Sequence, residues 1–374
     1  MRESLFDDSH GYYRKKNPIG KKADFITAPE ISSIFGELVA AYLLHVFSGK
    51  KKRLALVEMG AGHGTWFCDI LSTIKNLAQK NNSLAVDFLT LTTFHIIEIG
   101  EELKKIQQKK LQNFSVNWHE NFTEFLTKVA ADEEIFFISN ELFDCFAIDQ
   151  FVKMDIGWCE RMVIASNDSL QTPQQMWNDK GMAYGHKVIC HAVAGRHPFN
   201  DQKQEFRSAE FNLEIHQFVE KTLGFEESQL APIGAVFEYS AEARKFMTEL
   251  CEVLQNKGGM AIIIDYGYDK YEFANTLQAI KNHHKVTVLN HDFDVDITAL
   301  VDFCALQKIV DNFSLNHSLI TQQKFLTELG IQQRQELLRQ NTTLAEQEKI
   351  DAAINRLINP NEMGNLFKTL IVWK

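Results

Sequence analysis

The chain has 374 residues, 45% of them hydrophobic and 24% charged, with a formal net charge of -10. That length and balance fold around a large core, as two domains or as one domain with insertions, and leave no tract biased enough for extended disorder. The acidic excess argues against broad electrostatic binding to nucleic acid and suits a cationic partner.

In chain order, the N-terminal MRESLFDDSH carries acids and no apolar stretch, so it reads neither as a secretory signal nor as a transit peptide. Residues 1–49 are rich in turns and then helical, and are expected to form a cap. Their longest apolar run, Leu38 to Phe47, is too short for a bilayer and is interrupted by His45, so no membrane insertion is expected. Within the cap, Thr27 reads as an N-cap with Glu30 three residues on, a capping box. The basic run Lys50 to Arg53 reads as a solvated loop.

Strand-like runs then alternate with amphipathic stretches, the pattern of an α/β fold with a parallel sheet and helices on both faces. Strands are predicted at Leu54–Glu58, Thr93–Glu98, Ser115–Trp118, Ile135–Ser139, Met260–Asp265 and Lys368–Trp373. Helices are predicted over residues 66–80, 100–112 and 241–259, the last stopped by Gly258 and Gly259. Between about 150 and 234 the rhythm breaks. WCERMVIA and GHKVICHAVA read as strands and EFNLEIHQFVEKTL as a helix, so this stretch is taken as an inserted subdomain. The expected division is a cap over 1–49, a first part of the core over 50–149, an insertion over 150–234 and the rest of the core over 235–374. The six cysteines, Cys68, Cys145, Cys159, Cys190, Cys251 and Cys304, include no C-x-x-C pair. Neither a metal site nor a disulfide framework is indicated, and a reducing cytoplasm is the expected location.

The stretch LALVEMGAGHGT, Leu54 to Thr65, ends a strand in Glu58 and turns through Gly60, Gly62 and Gly64, with Ala61 and Thr65 completing the loop. Glycine admits positive φ and close approach of a ligand, and the following helix N-terminus offers unpaired N–H groups to an anion. A dinucleotide fingerprint starting at Gly60 would require glycine where Thr65 stands. The spacing E-x-G-x-G-x-G resembles instead motif I of class I S-adenosylmethionine-dependent methyltransferases. Glu58 is then placed to accept from the cofactor's ammonium group or to orient the loop. Glu98 closes the second strand, where a carboxylate can take both ribose hydroxyls or answer the dipole of the next helix. Trp118 and His119 close the third, near the expected adenine position, Trp118 as ring wall or as core. The fourth delivers Asn140, Glu141 and Asp144 in SNELFDCFAIDQF.

Over nearly the whole chain these blocks, with GYYRKKNPIGKKADFITAPEISSIFGE, WCER, IIIDYGY, DVDITALVDF, TQQKFLTELGI and NEMGNLFKTL, resemble the MidA family of methyltransferases. Its mitochondrial members are arginine methyltransferases needed for assembly of respiratory complex I. The resemblance implies a class I methyltransferase core, Rossmann-like, with an N-terminal helical cap and an inserted subdomain. It implies S-adenosylmethionine held by Glu58, Gly60, Gly62, Gly64 and Glu98, with Asn140 and Glu141 beside it, under a lid with Asp24, Thr27, Pro29 and Glu30; Ala61, Thr65 and Trp118 join the expected cofactor-binding residues from the loop and the third strand end. The chain departs from the family at Lys22 and Ala23, where relatives have two glycines, and at Asp144 to Ala147, where a proline is missing.

For chemistry, a guanidinium is a poor nucleophile that a pair of carboxylates can clamp and deprotonate. Glu141 and Asp144 are expected as clamp and base, with Asp265 and Tyr266 as the second choice. The function implied is methyl transfer to a protein arginine, with a respiratory complex I subunit as target. A small-molecule acceptor and a non-catalytic assembly factor are the alternatives. Oligomeric state is left open, a homodimer included.

Overall fold

The computed structural model describes residues 1–7, 11–15, 26–49, 52–166, 203–209, 211–271, 273–289, 295–340 and 342–374. Asp24 and the segment GHKVICHAVA lie outside the described residues. The cap begins with α1 (Arg2–Phe6) and α2 (Tyr12–Lys15) and continues with α3 (Ala28–Ile31) and α4 (Ile34–Ser48). Then follow β1 (Leu54–Met59), α5 (Thr65–Gln79), α6 (Ser83–Leu91), β2 (Thr92–Ile97), α7 (Glu101–Lys110), β3 (Val116–His119), α8 (Phe122–Lys128) and β4 (Glu134–Asn140). The next strands are β5 (Asp149–Met154), β6 (Gly157–Ser166), β7 (Lys203–Ser208), β8 (Val236–Tyr239) and β9 (Gly259–Tyr268). Further on come β10 (Gln278–Lys281), β11 (His284–Val286), β12 (Asp296–Thr298), β13 (Val301–Asp302), β14 (Asn316–Thr321) and β15 (Phe367–Trp373).

Among the described residues, the central sheet has the order β14-β15-β9-β4-β1-β2-β3, with β13 beside β9. The run β9-β4-β1-β2-β3 is parallel, while β15 lies antiparallel between β9 and β14. The chain reverses its direction of winding between β1 and β4, and such a switch point opens a crevice at the carboxyl ends of the two strands. Glu58 and Asn140 stand at those ends.

Why these runs become strands is visible in their side-chain alternation. Leu54 and Leu56 of β1, Phe136 and Ile138 of β4, and Ile262 and Ile264 of β9 enter one apolar layer, with Phe35, Trp66 and Phe67. Their neighbours Ala55 and Val57, Ile135 and Phe137, and Ala261 and Ile263 enter the opposite layer, with Phe122, Phe125, Met247 and Leu250. Both faces are covered, so the strands read as continuous apolar runs rather than as alternating ones. Each fully buried Phe or Leu contributes about 2 kcal/mol.

Two smaller sheets stand apart from the central one. β7-β6-β5-β8 is an antiparallel sheet with its own core of Phe151, Trp158, Val219 and Phe237. β11-β10-β12 is a short antiparallel sheet packed against Leu5, Tyr12 and Cys145. This second sheet was not expected from the sequence, and it brings Gln278, Ile280 and Asp296 to the wall of the crevice, together with Arg2, Phe6 and Tyr13 of the N-terminal helices. The expected capping box at α3 does not form. Thr27 stands at the N-cap but makes no side-chain bond there, because Glu30 turns toward the glycine loop instead.

Candidate active site

At the switch point lies a cavity of about 560 Å³, a size typical of sites for small molecules. Its walls come from β1 and its turn (Glu58, Gly60, Ala61, Gly62, Thr65), from the end of β2 (Glu98), from the end of β4 (Asn140, Glu141, Asp144) and from the cap (Thr27, Pro29, Glu30). Most residues expected to act together are thus brought together.

The glycine turn explains its own composition. Gly60, Gly62 and Gly64 have φ of 72°, 52° and 69°, the left-handed region that side chains oppose. A Cβ on Gly60 would stand 3.0 Å from Leu142 Cδ1. Gly64 lies off the cavity and caps α5; there a Cβ would press on Gln107.

Glu58 is 3% exposed, and its Oε2 has no hydrogen-bond partner among the described residues. Burial, and then the neighbouring Glu98, push its carboxyl up to about 8. Leaving such a group without a donor costs about 1–3 kcal/mol, so the position suits a cationic ligand that supplies one. Asn140, also in the wall, has a buried Oδ1 without a partner. These orphaned acceptors beside a bare backbone turn fit the methionine end of S-adenosylmethionine, which carries an ammonium group.

Glu98 is held in place from two sides. Its Oε1 accepts from the Gly100 amide at 2.7 Å and its Oε2 from Gln107 Nε2 at 2.9 Å. Burial still raises its carboxyl above the usual range. Gln107, fully buried on α7, also donates to Gly62 O at 2.9 Å. It accepts from Trp118 Nε1 at 3.0 Å. One side chain thereby braces the glycine turn, the end of β2 and β3. The sequence reading missed it, although Leu103, Gln107 and Leu111 form an i, i+4, i+8 stripe in which a glutamine is the odd member. Trp118 needs correction: it does not line the cavity, because its ring packs on the apolar layer and its N–H is spent on Gln107. His119 is likewise structural, its Nε2 lying 2.9 Å from His95 Nδ1.

Also in the wall, Glu141 adopts φ 52°, strained for a non-glycine residue. Its amide bonds to Ile264 O at 2.9 Å. Its Oε1 accepts from Asn140 Nδ2 at 3.0 Å and from the Ala28 amide at 3.4 Å. Burial, and then Asp144, push this carboxyl up to about 8. Asp144 is gripped: Tyr266 donates its hydroxyl to Oδ2, and Cys145 Sγ lies 3.3 Å from Oδ1. Burial raises it to about 6. Asp265 is a second correction. It stays off the cavity wall, since its Oδ2 accepts the amides of Leu142, Phe143 and Asp144 at 3.1, 2.8 and 3.2 Å. It builds the turn that presents Glu141, while Tyr266 does reach the cavity. Arg2, Tyr13 and Asp296 join the wall unforeseen, with Tyr13 donating to Asp296 at 2.8 Å.

A family model described as "Putative S-adenosyl-L-methionine-dependent methyltransferase" matches residues 38–321. Among curated proteins, the mitochondrial protein arginine methyltransferase NDUFAF7 of Xenopus tropicalis is 26% identical, covering 98% of this chain and 80% of its own. The Homo sapiens protein of the same name is 26% identical over 98% of this chain and 77% of its own. In fold, the chain is similar to a Burkholderia thailandensis protein solved bound to S-adenosyl-homocysteine. The TM-score is 0.74 at 21% identity, covering 100% of this chain and 86% of that one. The expected cytoplasmic location is corrected by the curated relatives, which are named as mitochondrial. Cysteines without a C-x-x-C pair do not single out the cytosol. Among the described residues no helix is long and apolar enough to cross a membrane. With a family model spanning most of its length over a switch-point cavity of this chemistry, the chain belongs to the S-adenosylmethionine-dependent methyltransferases of that family.

Proposed function

We propose that the protein methylates an arginine side chain of a protein, and that a subunit of respiratory complex I is the target the MidA resemblance implies. The observation that carries this reading is one cavity that holds Glu58, with its unpartnered Oε2, beside the glycine turn and also holds Glu141 and Asp144. Relatives named as protein arginine methyltransferases support the choice of acceptor.

In this reading Glu58, Asn140 and the turn residues Gly60, Ala61, Gly62 and Thr65 hold the cofactor, Glu98 takes its ribose, and Thr27, Pro29 and Glu30 cover it. When bound, the sulfonium supplies an activated methyl carbon. The protein's part is alignment, exclusion of water and handling of one proton. Glu141 is the carboxylate offered to a guanidinium, and in that cationic company it ionises and orients the attacking nitrogen. After transfer the nitrogen carries a surplus proton, which Glu141 is suited to accept because burial has raised its affinity for protons. Asp144, tied to Tyr266, adds negative charge behind it and keeps its orientation.

The test is Glu141→Gln. Expected is loss of methyl transfer by at least about a hundredfold, with S-adenosyl-homocysteine still bound at wild-type affinity. Methylarginine marks, mapped by mass spectrometry, should vanish from cells lacking the gene. Unchanged turnover in the variant removes Glu141 from the reaction, and marks confined to small molecules remove the protein acceptor.

A further inference from the structure

One short segment of the cap touches both the glycine turn and Glu141. α3 begins with Thr27 at its N-cap and carries proline in its first turn, and Thr27, Pro29 and Glu30 all line the wall. Toward the glycine turn, Glu30 Oε1 accepts from Thr65 Oγ1, and His63 Nδ1 lies 3.4 Å from it. Lys110 Nζ in turn donates to Thr65 Oγ1. Ammonium, hydroxyl and carboxylate thus form one polarised chain, in which each bond strengthens the next. The Glu30 carboxyl is held down to about 2, first by the hydrogen bond from His63, so it is charged at neutral pH.

Toward Glu141, two residues earlier in the same segment, the Ala28 amide donates to Glu141 Oε1 at 3.4 Å. Ala28 is fully buried in the core layer shared with α4 and α5. Pro29 fixes its own φ near −65°, so the link between the two contacts is stiff. Glu141 has the left-handed backbone of a residue that stays in place only while its surroundings require it. A shift of the glycine turn therefore reaches Glu141 through a few covalent bonds.

We propose that residues 27–30 are a strap that couples occupancy of the glycine turn to the placement of Glu141, with Glu30 as its positioning residue. This rests on the methyltransferase reading above. A filled cofactor site fixes Thr65 and His63, these fix Glu30, and the Ala28 amide then holds Glu141 where the acceptor enters. By linkage the effect is reciprocal: an acceptor that engages Glu141 tightens the hold on the cofactor. The arrangement gives the protein an order of events, cofactor first and acceptor second.

The experiment uses the full chain with S-adenosyl-homocysteine as the probe, read by calorimetric titration and by hydrogen–deuterium exchange. Expected is slower exchange of residues 26–31 when the probe binds. Glu30→Ala should weaken the probe about tenfold and abolish that protection. Glu30→Gln keeps an acceptor for Thr65 and should restore most of the affinity, which a general loss of packing would not allow. Combining Glu30→Ala with Thr65→Val should cost little more than either alone. If the wild type binds the probe yet residues 26–31 exchange alike with and without it, the coupling is overturned and the methyltransferase reading stands. If the wild type does not bind the probe at all, the reading itself fails and the strap with it. Should Glu30→Ala not fold, wild-type exchange and the Glu30→Gln titration decide.

Discussion

Replacing Glu58 by glutamine isolates what a buried acid does at the glycine turn. The shape is retained and only the ability to ionise is lost. In the folded chain this carboxyl rises from 4.5 to about 8, through burial and then Glu98. A folded-state value above the unfolded one means that the native protein keeps a proton the unfolded chain has released. The associated stability is fully present below pH 4.5 and is lost as pH rises through about 8. At about 1.4 kcal/mol per unit, the loss amounts to at most about 5 kcal/mol, less whatever water in the cavity relieves. Glu58→Gln should therefore match the wild type in urea denaturation at pH 4.5 and exceed it by a few kcal/mol near pH 8. Cofactor binding should show the opposite preference. An ammonium group draws Glu58 into its charged form, and a hydrogen bond to a charged partner contributes about 1.5–3 kcal/mol, or roughly ten- to hundredfold in Kd. Titration of S-adenosylmethionine at pH 7 in two buffers of different ionisation enthalpy should show about one proton released by the wild type and none by the variant. Equal affinity and equal proton release in the two proteins would refute the assignment of Glu58 to the ammonium group.

Other outcomes follow from groups around the site. Asp265→Ala strips three amides of their acceptor and should cost about 3 kcal/mol or more in chemical denaturation. Because those amides shape the turn after Glu141, methyl transfer should fall with it, and a variant with full activity would separate the two. The His95–His119 pair predicts acid sensitivity. Burial, and then His119, lower His95 from 6.5 to about 4, so below pH 6.5 the unfolded chain takes up a proton that the folded one refuses. Stability should fall by on the order of 2 kcal/mol between pH 7 and pH 4.5, and His95→Gln should flatten that part of the pH profile.

Much of the sheet was legible because its strands are apolar runs separated by amphipathic helices, a pattern that survives without knowledge of tertiary contacts. The glycine turn was legible for a related reason: three positive-φ positions in five residues are occupied by glycine, and that spacing stands out in the sequence. The roles of polar side chains were harder to read. Asp265 and Asp144 look alike as strand-end acids, yet one accepts backbone amides beneath the turn and the other faces the cavity. Which of the two occurs depends on the path of residues 142–144, which no local pattern encodes. For Trp118 the sequence left ring wall and core equally open, and what decides is that an indole N–H must find an acceptor, which Gln107 provides from another element. The contributions of Arg2, Tyr13 and Asp296 come from distant segments meeting across the small sheet, a long-range closure without a sequence signature.

The placement of β15 between β9 and β14 constrains how the protein is made. β15 follows both of its neighbours in sequence, so a nascent chain emerging from the ribosome must hold their inner margins open until residue 373 is free. At about 5–20 residues per second that interval lasts several seconds after β14 has appeared. Throughout it, two unsatisfied backbone rims flanked by apolar side chains are available to the wrong partner. Chaperone capture should therefore be strongest on ribosome-bound chains that stop short of residue 367.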